Sequence, residues 1–232
     1  MTIQILPDAS AAAKAAAEAI AAEARRTIAA RGRFVMAVSG GKTPWLMLRA
    51  LAEETVPWEN IHVVQVDERV APAADPDRNL THLQASLSEK APLPEEQIYP
   101  MPVEETDLET AAEGYAKTLQ HLAGTPPVLD LAHLGLGPDG HTASLVPGDS
   151  VLKVVDRDVA LTGTYMNRRR MTLTYPILNR SRRILWLVTG VEKIAMLPRL
   201  LAADPTIPAG RVQQEHASVI ADRASAGQIN SK

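Results

Sequence analysis

The sequence contains no cysteine, which excludes disulfide bonds, thiolate-ligated zinc and thiol catalysis. That composition fits a reducing compartment, so we expect a cytoplasmic protein. Aromatic residues are also scarce, and a single Phe among 232 residues means that the core must be built from Leu, Val, Ile and Ala. A formal net charge of −3 gives no general attraction for nucleic acid or anionic membranes, and we expect neither as a partner.

The sequence also has no long apolar segment of the kind that a membrane span needs. Its alanine-rich stretch, residues 8–31, carries Lys14 and Glu18, so it is neither a secretory signal nor a membrane span. Alanine is the strongest helix former, Asp8 or Ser10 is suited to cap the start, and Gly32 suits the end. We therefore predict a scaffold helix that covers one face of a sheet.

Short apolar runs separated by helical patterns predict an α/β fold, with an open, mostly parallel, Rossmann-like sheet and helices on both of its faces. The predicted strands are residues 34–38, 61–66, 98–101, 128–134, 184–188 and 217–221, with one or two more in 151–164. The other predicted helices are residues 45–53, 107–122 and 193–201, and one that Asn79 caps and that runs to about Glu89. No repeat or linker interrupts the chain, which predicts one domain over residues 1–232.

The segment 135–144 concentrates three glycines, Asp139 and His141 directly after an apolar run. Glycines let a backbone turn sharply and approach a ligand closely. A His placed after such a turn lies at the carboxyl end of a strand, where open α/β sheets bind their ligands. His133 lies inside the preceding apolar run and is instead expected to pack in the core.

Side chains that could bind a ligand or act in catalysis also lie next to other predicted strands. Residues 39–44, Ser-Gly-Gly-Lys-Thr-Pro, form a glycine turn before a helix, an arrangement suited to bind phosphate. Asp67–Arg69 follows the next strand, and Arg170 adjoins a β-favouring run. Lys193 lies in the first turn of a predicted helix, where a bound anion would offset its unfavourable position. Because the carboxyl ends of parallel strands share one edge, we expect these segments to converge on a site for a phosphorylated small molecule.

Three other motif interpretations fit less well. Residues 135–140 match G-x-G-x-x-G, but Asp139 would repel the pyrophosphate of a dinucleotide. The Gly-Lys-Thr of residues 41–43 lacks the earlier glycine of a P-loop, since Met36 stands at that position. The six His residues show neither H-x-E nor H-E-x-x-H spacing, so a zinc site has little support.

The sequence resembles the 6-phosphogluconolactonase family in five blocks that follow the family's order and spacing. The blocks are residues 39–44, 67–69 with Pro72 and Asn79, 135–144 with Pro147, 170–174 and 189–193. The related glucosamine-6-phosphate deaminases share the first and third blocks, but they usually have Tyr at the position of Arg69. The chain departs from the usual lactonase pattern at Arg78, at Val146 and in residues 167–169.

The resemblance implies an ester hydrolase that converts 6-phospho-D-glucono-1,5-lactone to 6-phospho-D-gluconate in the pentose phosphate pathway, without metal or cofactor. In that reaction we expect His141 to activate water as a general base and Asp139 to orient its imidazole. Negative charge on the carbonyl oxygen is expected to meet Arg69 or glycine N–H groups near Gly137. The expected catalytic residues are His141, Asp139 and Arg69, and the expected substrate-binding residues are Ser39, Gly40, Gly41, Thr43, Asp67, Gly137, Arg170 and Lys193.

Alternatives stay open at this point. One is a deaminase or isomerase that acts on an amino-sugar phosphate, and another is a non-catalytic sensor of sugar phosphates. The individual role of Asp67 is undecided, and the chain is expected to be a monomer or a small homo-oligomer.

Overall fold

The computed structural model describes residues 1–229. Its strands are β1 (Thr2–Leu6), β2 (Phe34–Val38), β3 (Ile61–Gln65), β4 (Asp67–Arg69), β5 (Ile98–Tyr99), β6 (Leu131–Leu134), β7 (Val159–Leu161), β8 (Arg170–Leu173), β9 (Ile184–Val188) and β10 (Ala217–Asp222). Its α-helices are α1 (Ala9–Arg31), α2 (Lys42–Ala52), α3 (Asn79–Leu83), α4 (Leu108–Ala123), α5 (Tyr175–Arg180), α6 (Leu197–Leu201) and α7 (Arg223–Ala226).

Seven strands form one open sheet in the order β1-β10-β9-β6-β2-β3-β5, and all of their pairings are parallel. The strand order reverses between β6 and β2. From β2 the chain continues to β3 and β5 on one side, and later to β6, β9 and β10 on the other. Open α/β sheets bind ligands in the crevice at such a switch point, outside the carboxyl ends of the strands. The loops that follow β2 and β6 therefore flank the position where a ligand is expected.

Two apolar clusters cover the two faces of the sheet, which confirms the predicted fold class. Along β2, Phe34, Met36 and Val38 belong to one cluster, and Val35 and Ala37 to the other. This alternation follows from the period of two in a strand, and both faces are apolar because helices cover both. The first cluster contains the buried alanines of α1, whose small side chains let the helix lie close to the sheet.

Helix α1 has the predicted boundaries. The Asp8 side chain accepts the Ala11 N–H at 2.8 Å, and Gly32 ends the helix in the left-handed conformation with φ 78°. Strands β2 and β9 also match their predicted ranges, and α4 begins one residue after the predicted start, at a cap formed by Asp107.

Several predicted elements are shorter or divided. In residues 193–201, a 3₁₀ turn, Val191–Lys193, is separate from α6, which begins at Leu197. Residues 151–164 contain a 3₁₀ turn and only the three-residue β7. Residues 128–134 contribute β6 from Leu131 onward.

Other helix starts and short elements also differ from the prediction. Helix α2 begins at Lys42 rather than Trp45, because Pro44 is tolerated in a first turn, where its missing N–H is not needed. Asn79 is the first residue of α3 rather than its cap, and the helix runs into a π-helical turn, Gln84–Ser88. The prediction missed β1, α5 and α7, which are short elements without a clear periodic pattern.

A second, antiparallel sheet was not predicted. Strand β8 pairs with β4 on one side and with β7 on the other. Three charged residues in a row, Asp67–Arg69, are typical of a loop, yet here they form β4. This small sheet carries Arg69 and Arg170 beside the carboxyl edge of the large one.

The loop between β4 and α3 is fixed by a buried ion pair. Arg78 Nε lies 3.1 Å from Glu68 Oε2, and the two side chains are 2% and 0% exposed. Glu68 also accepts the first N–H groups of α3, from Asn79 at 2.7 Å and from Leu80 at 2.8 Å. Glu68 therefore caps α3 from a different segment of the chain, so the Asn79 side chain is not needed as the cap.

Among residues 1–229, no helix combines the length and the apolar character that crossing a membrane requires. The predicted single domain over residues 1–232 stays a prediction, and residues 230–232 lie outside the described part of the chain.

Candidate active site

A pocket of about 190 Å³ opens at the carboxyl edge of the large sheet, between the loops that follow β2 and β6. Its walls come from both of these loops, from β4 and β8, and from the 3₁₀ turn after β9. The lining residues are Ser39, Gly40, Asp67, Arg69, Asn79, Gly135, Leu136, Gly137, Pro138, His141, Ala143, Arg170 and Lys193. Eight of the eleven predicted site residues are in this lining, while Gly41, Thr43 and Asp139 lie outside it.

Asp139 and His141 form a hydrogen-bonded pair at this pocket. His141 Nδ1 lies 2.5 Å from Asp139 Oδ1, and the same oxygen accepts the His141 backbone N–H at 3.1 Å. Because a carboxylate only accepts, Nδ1 carries the proton and Nε2 is left with its lone pair. Burial alone would raise the pKa of Asp139, but the positive charge that His141 carries when protonated and the hydrogen bonds that it donates outweigh that effect and hold the pKa below its ordinary value.

Gly137 allows the His141 ring to lie against the backbone. A Cβ at position 137 would stand 2.1 Å from His141 Nδ1 and 2.7 Å from Asp139 Oδ1, closer than any side chain permits. The Gly137 N–H donates to the His141 carbonyl at 2.8 Å, which closes the turn. This amide is thus already bonded within the loop, so the expected donation to the substrate by glycine N–H groups near Gly137 stays a prediction for the neighbouring glycines.

Arg69 and Arg170 lie directly opposite each other in the β4–β8 pair. Like charges in that arrangement are unfavourable, and neither guanidinium has a carboxylate within 4.0 Å among residues 1–229. The Nε atoms of both side chains are buried without a hydrogen-bond partner in the described part of the chain. Burial lowers the pKa of Arg170, the charge of Arg69 adds to that effect, and the charge of Asp67 opposes it. The pair is therefore suited to bind an anion.

The loop after β2 brings backbone rather than side chains to the pocket. Ser39 Oγ donates to the His133 carbonyl at 2.9 Å, and its N–H donates to His133 Nδ1 at 3.3 Å. Gly40 passes so close to Asn79 that a Cβ would stand 2.0 Å from Asn79 Oδ1. Thr43 Oγ1 lies 2.6 Å from Thr189 Oγ1, so its hydroxyl joins the start of α2 to the turn after β9.

Asp67 connects the small sheet to segment 135–144. Its Oδ2 accepts from Ser144 Oγ at 2.5 Å, and its backbone carbonyl accepts from Asn79 Nδ2 at 2.9 Å. Ser144 N–H in turn donates to Thr172 Oγ1 at 3.2 Å. These bonds indicate that Asp67 holds parts of the pocket wall together.

Lys193 reaches the same pocket from the 3₁₀ turn after β9. Its side chain is 16% exposed, and Nζ lies 3.6 Å from Glu192 Oε1. With Arg69 and Arg170 it makes a third cation around the cavity, which gives a locally positive site in a chain of net negative charge.

Two further residues contact the predicted site residues. Asn79 Oδ1 accepts from Arg69 Nη1 at 2.7 Å, although Asn79 was predicted as a helix cap and was not among the expected site residues. Tyr165 OH lies 3.3 Å from Asp139 Oδ2, and its ring contacts His141 and Arg170. Asn79 belongs to one of the five blocks of the family resemblance, which was a usable signal, whereas nothing in the local sequence of Tyr165 points to the site.

Within residues 1–229, no three His, Asp or Glu side chains are grouped as a metal ion would require. The expectation of chemistry without metal or cofactor stays a prediction.

Comparisons with known proteins place the chain in a family. Residues 7–221 match the family described as glucosamine-6-phosphate isomerases/6-phosphogluconolactonase. A 6-phosphogluconolactonase of Synechocystis is 40% identical over 186 residues, which cover 78% of this chain and 77% of the relative. A 6-phosphogluconolactonase of Mycobacterium tuberculosis is 32% identical over 99% of both chains. The crystal structure of 6-phosphogluconolactonase from Thermotoga maritima matches with a TM-score of 0.84 and 28% identity, covering 95% of this chain and 98% of that one. The chain therefore belongs to the glucosamine-6-phosphate isomerase/6-phosphogluconolactonase family.

Proposed function

We propose that this protein is a 6-phosphogluconolactonase, which hydrolyses 6-phospho-D-glucono-1,5-lactone to 6-phospho-D-gluconate in the pentose phosphate pathway. The observation that carries the proposal is the Asp139–His141 pair at a pocket with three cations, Arg69, Arg170 and Lys193. The names of the relatives support the same substrate.

His141 is the general base of the proposed reaction. With the proton on Nδ1 held by Asp139, the Nε2 lone pair takes a proton from water as the water oxygen attacks the lactone carbonyl carbon. Asp139 then faces a positively charged imidazolium, which its carboxylate stabilises. The ring ester oxygen leaves as the tetrahedral intermediate collapses, and it receives the proton that His141 had taken. Water is consumed, and the product carries a carboxyl group and a free hydroxyl.

The three cations divide between the two charged groups of the substrate. Arg69, held by Asn79 Oδ1 at 2.7 Å and by the Asp77 carbonyl at 2.8 Å, meets the negative charge that develops on the carbonyl oxygen. Arg170 and Lys193 bind the phosphate together with the backbone of residues 39–41 and the start of α2. Thr43 supports that loop through Thr189.

The decisive experiment supplies purified protein with freshly formed 6-phospho-D-glucono-1,5-lactone and follows acid release in a pH-stat, with the spontaneous opening subtracted. We expect ring opening well above background and no ammonia from glucosamine 6-phosphate. Ammonia release without lactone turnover would support the deaminase instead. Binding of 6-phosphogluconate without any turnover would support a sensor.

The remaining expectations are part of the same proposal. They are a single domain, a cytoplasmic location, a monomeric or small homo-oligomeric state, and the lactone as the partner rather than nucleic acid or a membrane.

A further inference from the structure

A tight turn before β8 carries the side chain that joins the parts of the site. Tyr165 and Arg168 exchange backbone hydrogen bonds of 3.0 and 3.2 Å, and the two residues between them, Met166 and Asn167, have φ values of 49° and 63°. Two successive left-handed residues make the narrowest kind of hairpin turn. The turn places the half-buried Tyr165 against His141 and Arg170 of the pocket lining, while Met166 is 74% exposed.

Other contacts hold this turn in place. Arg168 Nη2 lies 3.2 Å from Asp75 Oδ2 and 3.3 Å from Asp77 Oδ2, and the Arg169 carbonyl accepts the Val70 N–H at 2.9 Å. The turn is thus tied to the loop that follows β4, whose Asp77 carbonyl also accepts from Arg69. The position of Tyr165 is therefore set by several bonds rather than by its own segment alone.

Tyr165 contacts both functional halves of the pocket. Its hydroxyl lies 3.3 Å from Asp139 Oδ2, the oxygen that does not hold His141, and its ring meets the His141 ring edge-on at 5.6 Å between centroids. On the other side, the Arg170 guanidinium carbon lies 5.0 Å from the centre of the Tyr165 ring. One side chain thus touches the acid, the base and a cation.

The contacts with Asp139 and Arg170 restrain groups that are otherwise only partly held. A carboxylate bonded at one oxygen only can rotate about its own axis, and a donor at the second oxygen removes that freedom. Arg170 Nε has no hydrogen-bond partner among the described residues, so the aromatic ring is a main restraint on the guanidinium.

We propose that Tyr165 is a positioning residue, which orients Asp139 and His141 through its hydroxyl and Arg170 through its ring. This inference rests on the proposed lactonase function. It assigns separate consequences to the hydroxyl and the ring, and these consequences can be measured separately.

The test compares Tyr165→Phe and Tyr165→Leu with the wild type, using kcat and KM for the phosphorylated lactone. Phe keeps the ring, so we expect kcat to fall about tenfold to hundredfold with little change in KM, as the loss of a hydrogen bond to a charged group predicts. Leu also removes the ring, so KM should rise in addition by about threefold to tenfold, within the range of a cation–π contact.

Substrate selectivity separates positioning from a general loss of structure. The ratio of kcat/KM for the phosphorylated lactone to that for glucono-1,5-lactone should fall with Leu and stay near the wild-type ratio with Phe. Tyr99→Phe is the matched control, because that hydroxyl lies 3.1 Å from His62 Nδ1 at the far edge of the large sheet. It should leave both constants unchanged.

The outcomes distinguish this inference from the proposed function. If the wild type opens no lactone, the proposed function fails. If the wild type is active and both Tyr165 variants keep its kcat, KM and selectivity, the positioning role is wrong. Equal losses in Phe and Leu on every constant would also overturn the separate roles of hydroxyl and ring. Should Leu not fold, the kcat effect of Phe alone decides the role of the hydroxyl.

Discussion

The two ends of β6 differ in whether the arginines near them are paired with a carboxylate. At its amino end, the buried Asp130 lies 2.6 Å from Arg31 and 3.5 Å from Arg182, and it accepts the Val35 N–H at 2.9 Å. Beyond its carboxyl end, Arg69 and Arg170 stand side by side and, within residues 1–229, have no carboxylate within 4.0 Å.

The difference distinguishes charges that are paired within the fold from charges that we propose to bind the substrate. A buried charge without a counter-charge costs stability, and such groups are retained mainly where function uses them. The paired arginines at the amino end are therefore expected to affect folding and not turnover. The unpaired arginines at the carboxyl end are expected to do the reverse.

His141→Ala, at the carboxyl end, should have the largest effect. Removing the general base is expected to lower kcat by roughly 10²–10⁴ and to leave the free energy of unfolding almost unchanged, since the side chain is partly exposed and packs on a glycine. Initial rates of lactone opening and urea unfolding measure the two quantities. His216→Ala is the control, because that exposed side chain lies just before β10, on the amino side of the sheet. Near-wild-type turnover of His141→Ala would remove His141 from the mechanism.

Arg170→Gln and Arg182→Gln compare one arginine from each end. Arg170→Gln should raise KM for the phosphorylated lactone about tenfold to hundredfold, the loss expected for charge-assisted hydrogen bonds to an anion. Its free energy of unfolding should not fall, because the substitution removes a like charge opposite Arg69.

Arg182→Gln should leave KM unchanged and lower the free energy of unfolding by less than about 1 kcal/mol, since this arginine is half exposed. Equal effects of the two variants on KM, or a larger loss of stability for Arg170→Gln, would contradict the division of charge between the two ends.

The sequence predicted the parts of this comparison that depend on continuous patterns. Strands β2 and β9 are buried on both faces, so they appear as unbroken apolar runs with clear ends. Asp139 and His141 are two residues apart in a glycine turn, and their pairing follows from local geometry. The convergence of distant loops followed from the parallel sheet, whose strands end at one edge.

What the sequence did not predict depends on contacts between distant segments. Strand β4 is too short and too charged to be recognised, and only its pairing with β8 makes it a strand and sets Arg69 against Arg170. Glu68 caps α3 from eleven residues away in sequence, which left Asn79 free for Arg69. Tyr165 reaches Asp139 across 26 residues. Contacts between residues so far apart in the sequence leave no pattern in the local sequence.

The middle of β6 gives the smallest predicted effect, in stability alone. Burial lowers the pKa of His133 to about 4, and the ring is completely buried. An unfolded His has a pKa of about 6.5, so as pH falls below that value the unfolded chain binds a proton that the folded chain excludes. The stabilisation is therefore present above pH ~6.5 and is lost progressively as pH falls toward the folded pKa.

Between pH ~7.5 and ~5.5, wild-type protein should lose about 1 kcal/mol more of its free energy of unfolding than His133→Asn, which cannot titrate. Asn retains an acceptor for the Ser39 N–H, and any constant loss from the smaller side chain cancels because only the change with pH is compared. Urea unfolding of both proteins at the two pH values measures this difference in the free energy of unfolding. The five other His residues are common to both proteins. Parallel pH dependence in the two proteins would mean that His133 accepts a proton in the folded state, and that water reaches the middle of β6.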